Sequence, residues 1–71
     1  MGYTVNVDVG GTFMDFFVTR GDKYVTTKVP TTAYELGVGF IRGLEECAEK
    51  DGQSLEQFLA DTDVIRYCTT I

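Results

Sequence analysis

Between Tyr3 and Thr19 the chain forms two extended runs that meet at one glycine pair, Gly10-Gly11. In the first, Val5, Val7 and Val9 alternate with Thr4, Asn6 and Asp8, the period of a strand with one apolar face. In the second, the β-branched and aromatic residues from Thr12 to Thr19 resume the pattern. A link this short joins strands only as an antiparallel hairpin. Arg20-Gly21-Asp22-Lys23 reads as a second tight turn, leading into a third strand, Tyr24 to Val29, which Pro30 ends.

Thr32 followed by Glu35 has the spacing of a capping box, and Leu36, Phe40, Ile41, Leu44, Cys47 and Ala48 then recur at helical spacing down to Lys50. Gly52 is placed to stop this helix. Gly37, Gly39 and Gly43 lie inside it at a cost of about 1 kcal/mol each relative to Ala, which close approach to the sheet would offset. Ser54 with Gln57 caps a short helical turn through Leu55, Phe58 and Leu59, and Val64 to Cys68 reads as a fourth strand. The helical crossover lets that strand lie parallel to a neighbour. The predicted fold class is therefore α/β (α+β): a mixed sheet in the order β-β-β-α-(short α)-β, with a helix on one face.

A chain of 71 residues makes at most one small domain, and its composition, 44% hydrophobic and 24% charged, is that of a packed protein. One helix covers one face of a sheet, so the face bearing Asn6 and Asp8 is expected to await a cover. The isolated chain is expected to be partly unfolded or oligomeric. With a net charge of −5 and its Lys and Arg residues scattered, the chain lacks the basic footprint of a nucleic-acid binder. No apolar run approaches the roughly 20 residues that span a bilayer, and a cytoplasmic location is expected. Asn6 stands where a myristoylation signal needs Ser or Thr. Cys47 and Cys68 are too far apart for a zinc motif, there is no His, and both thiols read as small buried hydrophobes. Without His, chemistry here falls to carboxylates, hydroxyls or a metal.

The stretch Val7-Asp8-Val9-Gly10-Gly11-Thr12-Phe13-Met14-Asp15 concentrates that chemistry. Glycines at positive φ would turn their N–H groups towards one point and form an anion-binding nest, with the Thr12 hydroxyl beside it. Asp8, at its strand's end, would hold Mg²⁺ or its waters next to phosphate oxygens. Asp15 shares a strand face with Phe13 and Phe17, where an unpaired carboxylate is costly, so a partner is expected. A plain hairpin turn flanked by two solvated aspartates fits the same residues.

The order of these features resembles the opening of the actin-like ATPase superfamily, and most closely the N-terminal region of hydantoinase A and 5-oxoprolinase, above all the homologous subunits of acetone and acetophenone carboxylases. The resemblance covers the whole chain. It rests on Val7 to Phe13 with Asp15, on Lys28-Val29-Pro30-Thr31-Thr32, and on Ile65-Arg66-Tyr67-Cys68-Thr69-Thr70. Tyr67-Cys68 replaces the His-Gly usual in hydantoinases, Met14 stands where Thr is common, and the Tyr leans towards the ketone carboxylases.

This resemblance implies an RNase H-like fold. It matches Asp8, Gly10, Gly11, Thr12 and Asp15 to a loop contacting the phosphates of ATP, with Mg or Mn at Asp8, and Thr69 and Thr70 to a second site element. Residues 1–71 would be the N-terminal portion of an ATPase domain, inactive alone and completed by other subunits or the remainder of a larger enzyme. The parent would be an ATP-dependent carboxylase, that is a ligase, or a hydrolase of the hydantoinase or oxoprolinase kind. Two alternatives stay open: a catalytically silent structural subunit of such a complex, and the start of a sugar kinase, which would not be expected to carry Lys28 to Thr32.

Overall fold

The computed structural model describes residues 2–31 and 35–69. Three strands, β1 (Tyr3–Val9), β2 (Phe13–Arg20) and β3 (Lys23–Pro30), precede helix α1 (Leu36–Lys50), the short helix α2 (Leu55–Ala60) and strand β4 (Thr62–Thr69). The sheet order is β3-β2-β1-β4, with β1 antiparallel to β2, β2 antiparallel to β3, and β1 parallel to β4. This is the mixed sheet expected from two tight turns and one helical crossover. The β2–β3 hairpin closes on Gly21 at φ 63°, the left-handed conformation a turn takes at its first central position when glycine stands there.

The alternation in the sequence becomes a division of the sheet into two faces. Val5, Val7, Val9, Met14, Phe16, Val18, Thr27 and Val29 are buried on one face, beneath Leu44, Cys47 and Ala48 of α1 and Phe58 of α2. On the other face Asp8, Phe13, Asp15, Phe17, Tyr24, Thr26 and Lys28 are exposed. Pro30 closes β3 from inside the strand, opposite Phe13. It is tolerated there because β3 is an edge strand and Pro lacks only a donor.

α1 departs from the expected pattern at its start. Glu35 is its N-cap residue, at φ −155° and ψ 90° with no side-chain capping bond, so the helix begins at Leu36 and not within a Thr32–Glu35 box. Thr32 lies outside the described residues. Ile41 is 45% exposed and not core, because it lies on the side of the helix turned away from the sheet. Gly37 is exposed, whereas Gly39 and Gly43 are buried. A Cβ at Gly43 would overlap the Phe16 ring, so only glycine lets α1 come this close to β2. The C-terminus is a Schellman motif: Gly52, at φ 72°, donates to Glu49 O at 3.0 Å and Gln53 to Ala48 O at 2.9 Å. The Ser54 hydroxyl accepts from Gln57 N at 3.2 Å and starts α2 as the capping pattern predicts.

One polar cluster ties the helical connection to the sheet. The buried Tyr3 ring lies 4.7 Å from that of Phe58, and the Arg20 guanidinium sits 4.6 Å over it. The Tyr3 hydroxyl donates to the Asp51 carboxylate and accepts from Gln53, which also donates to Asp51 at 2.9 Å. The hydrogen bond to Asp51 together with burial raises the Tyr3 pKa, and the same bond holds Asp51 below the usual carboxylate range.

Gly43→Ala is expected to lower unfolding stability by about 1–3 kcal/mol through overpacking against Phe16, while Gly37→Ala, in the open, raises it by up to about 1 kcal/mol; urea denaturation of the two variants measures both. For Tyr3 and Asp51 the signs are opposite. The lowered pKa of Asp51 gives stability present above its unfolded value and lost as pH falls through the folded one. The raised pKa of Tyr3 gives stability present below its unfolded value and lost as pH rises towards the folded one. Tyr3→Phe is expected to cost about 1 kcal/mol at neutral pH and to flatten the stability profile at both its acid and its alkaline ends.

Candidate functional site

The register of the four strands builds the site. On the face away from α1, Cys68, Asp8, Asp15 and Lys28 form one row across β4, β1, β2 and β3, each the Cα partner of the next. Arg66, Asn6, Phe17 and Thr26 form the row below. Together they floor an open trough of about 660 Å³. The upper row lies near the carboxyl ends of the parallel pair β1 and β4, the end at which open α/β sheets bind ligands.

Asp8 and Asp15 stand directly opposite one another, an arrangement that disfavours two like charges unless a cation compensates them. Asp15 has its expected partner: Lys28 Nζ lies 3.7 Å from its Oδ1, with the two side chains 59% and 57% exposed. An ion pair this exposed contributes about 0–1 kcal/mol. Lys28 also sits 5.2 Å over the Phe13 ring. Asp8 is exposed and has no hydrogen-bond or ion-pair partner among the described residues.

The loop that follows β1 differs from the nest expected of it. Neither Gly10 nor Gly11 has positive φ; among the described residues only Gly21 and Gly52 do. Glycine permits that conformation without requiring it, and here hydrogen bonds set the loop. Gly10 N donates to Phe13 O at 3.0 Å, Thr31 N to Thr12 O at 2.8 Å, and the Thr31 hydroxyl to Gly10 O at 2.9 Å. Glycine at position 10 answers a close approach, since a Cβ there would lie 3.3 Å from Phe13 O. Thr31 is thus the residue that sequence reasoning missed. It lies one step beyond the Phe13–Pro30 pair, so following the strand register past Pro30 would have found it.

Of the remaining candidates, Thr12 is exposed at the tip of the loop, and Thr69 ends β4 opposite Val9. Thr69 therefore occupies the same end of the sheet as Asp8 but belongs to the opposite face. Thr70 lies outside the described residues. No group of three or more His, Cys, Asp or Glu residues is arranged to hold a metal among the described residues. The hard oxygen donors of Asp8 and Asp15 suit Mg²⁺ or Mn²⁺ all the same, because such ions commonly use one or two carboxylates and complete their shell with phosphate and water.

The two thiols differ in surroundings. Cys47 is buried against the sheet, and desolvation pushes its pKa up to about 11. Cys68 is exposed beside Asp8, contrary to the expectation of a buried hydrophobe, because β4 is an edge strand and the open face has no cover.

Comparison with known proteins then places the chain. Residues 4–71 match the family model for the hydantoinase/oxoprolinase N-terminal region. The acetophenone carboxylase gamma subunit of Aromatoleum aromaticum is 41% identical over 68 residues, which are 96% of this chain and 9% of that protein. An uncharacterised protein of Methanocaldococcus jannaschii is 43% identical over 47 residues, 63% of this chain and 7% of its own. The solved nucleotide-free structure of acetone carboxylase, described as an enzyme of ATP-dependent acetone carboxylation, superposes with a TM-score of 0.86 at 28% identity. It is covered over 97% of this chain and 10% of its own. The chain thus spans about a tenth of the length of these relatives.

The contrast between the thiols gives a direct check on the site. A thiol-specific reagent at neutral pH is expected to modify one cysteine of the folded chain, Cys68, and both in denaturant, as counted by mass spectrometry; a Cys68→Ser chain should take up no label until it unfolds.

Proposed function

This chain belongs to the hydantoinase/oxoprolinase N-terminal family, and on that footing we propose that it supplies phosphate and metal contacts to the ATP site of a ketone carboxylase of the acetone and acetophenone type. The match to the acetone carboxylase structure supports this reading, since the mixed α/β fold is that of the N-terminal region of the actin-like ATPase family. The observation that carries the functional reading is the Asp8–Asp15 pair. Two carboxylates face each other at the carboxyl end of the parallel strands, and among the described residues only Asp15 has a cation beside it. A divalent ion accompanying a nucleotide would relieve that repulsion.

In this reading Asp8 is the carboxylate that holds Mg²⁺ or Mn²⁺, or its bound water, and Asp15, steadied by Lys28, adds negative potential at the same place. ATP supplies the activated phosphoryl group. Gly10, Gly11 and Thr12 present backbone and hydroxyl to its phosphates, and Thr31 keeps the loop from moving by engaging two of its carbonyls. Thr69, at the end of β4, would belong to the second element together with Thr70. The other parts of a nucleotide site, an adenosine pocket and an opposing wall, would come from other subunits or the remainder of the enzyme, in the cytoplasm. Among the described residues no helix is long and apolar enough to cross a membrane.

One observation favours a second reading, in which the chain is a structural module of such a complex with no catalytic part. Without positive φ at Gly10 or Gly11 the loop does not form the nest that phosphate binding uses elsewhere, and two of its carbonyls are already engaged by Thr31.

Asp8→Asn distinguishes the two, since it keeps size and hydrogen bonding but removes the charge a divalent ion needs. In the assembled parent enzyme it is expected to lower Mg²⁺- or Mn²⁺-dependent ATP hydrolysis by at least the ~10–100-fold that loss of a metal ligand's supporting partner costs. The size-exclusion profile of the assembly should not change. Full ATP turnover in an intact Asp8→Asn assembly would favour the structural module.

A further inference from the structure

The two hairpins of the sheet are linked alike and turn differently. Each link is two residues that begin with glycine: Gly21-Asp22 between Arg20 and Lys23, and Gly11-Thr12 between Gly10 and Phe13. Gly21 takes φ 63°, the left-handed conformation in which so short a link matches the twist of its strands, whereas Gly11 does not have positive φ. Among the described residues the bond that would close the Gly11-Thr12 turn, from Phe13 N to Gly10 O, is not made. The Thr31 hydroxyl stands in its place, 2.9 Å from Gly10 O, while Thr31 N donates to Thr12 O at 2.8 Å.

This conformation accounts for glycine at position 10, where a Cβ would crowd Phe13 O, but not at position 11. Gly11 is exposed and lies outside the left-handed region, so its φ asks nothing of glycine. Glycine also loses more backbone freedom on ordering than any other residue. A second conformation, with Gly11 at positive φ, supplies the missing reason.

We infer that Thr31 is a positioning residue that sets the Gly10-Gly11 loop between these two conformations, its hydroxyl serving as a latch on Gly10 O; this deepens the phosphate-site reading and rests on it. Latched, the loop has no nest. Released, Gly10 O is free for the turn's own Phe13 N, Gly11 takes positive φ as Gly21 does, and the N–H groups of the loop gather on a phosphate of ATP. The magnitudes let the phosphate drive this exchange. The latch is one neutral hydrogen bond, which shifts a two-state ratio by about 2- to 10-fold. Charge-assisted bonds from N–H groups to phosphate are each roughly twice as strong. Thr31 thereby sets the fraction of loops ready to bind, and apparent affinity falls in proportion to that fraction.

The test is calorimetric binding of the β,γ-imido analogue of ATP with Mg²⁺ to the assembled parent enzyme, with a size-exclusion profile and a melting temperature for each variant. Thr31→Val removes the hydroxyl at nearly constant size and is expected to tighten binding by about 2- to 10-fold. Thr31→Ser, which keeps the donor, should bind as the wild type does. Gly11→Ala should bind about 5- to 30-fold more weakly, the equivalent of the left-handed penalty for a residue with a Cβ, without lowering the melting temperature measured before the analogue is added. It leaves both Thr31 bonds in place, so it decides the matter alone should Thr31→Val fail to assemble. A Thr31→Val enzyme that binds no more tightly than the wild type, or a Gly11→Ala enzyme that binds equally well, would overturn the latch and leave the phosphate site standing. A wild-type assembly that takes up no analogue overturns the phosphate reading and the latch with it.

Discussion

The contact between Gly43 and the Phe16 ring sets how close α1 lies to the sheet, and the placement of the rest follows from it. With no Cβ at position 43, the helix settles over β2 and β3, and Leu44, Cys47 and Ala48 reach the valines of β1 and the Met14 and Val29 side chains. A larger residue would lift the helix and loosen the packing beneath it. One face of the sheet is thereby closed. A single helical layer leaves the other face to water or to another surface, and that face carries the carboxylates.

The same arrangement explains why the candidate site lies at one end of the molecule and the Tyr3–Asp51–Gln53 cluster at the other. β1 is the only strand paired on both sides with opposite senses, antiparallel to β2 and parallel to β4. Its carboxyl end therefore meets the hairpin loop and the end of β4 together, and its amino end meets the turn between α1 and α2. At the amino end the polar groups satisfy one another and hold the fold. At the carboxyl end the Asp8 carboxylate has no partner among the described residues and stands opposite a second carboxylate, an arrangement that stability alone does not favour. Local rules broken without local compensation are what functional sites are expected to show.

Much of this was legible in the residues. Strict alternation of valines gave β1 its two faces, short turns made the first three strands antiparallel, and Gly52 ended α1 because a left-handed residue was needed there. The carboxylate pair was legible as two aspartates flanking a glycine loop, and the resemblance to the hydantoinase and ketone carboxylase N-terminal region was carried by three short motifs. The misreadings share a cause. Ile41 and Cys68 are apolar residues on elements whose neighbours cover only one side, and Gly37 lies in a helix whose close approach occurs farther along. Periodicity states which residues share a face; it does not state whether that face has a cover.

By itself the sequence determined the elements, their senses of pairing and the family, because these depend on local periodicity, turn chemistry and short motifs. Only the tertiary structure decided the rest. The Gly10-Gly11 loop turns without positive φ because Thr31, distant in sequence, supplies the hydrogen bonds that hold it. Asp8 faces Asp15 while Thr69 falls on the opposite face because a strand's register assigns each residue its side. The edge strand β3 has one of its carbonyls, Thr26 O, engaged because Lys50 reaches across to it from the helix. Each of these depends on which backbone groups are already engaged across the fold, a property of strands and helices brought together and not of any segment alone.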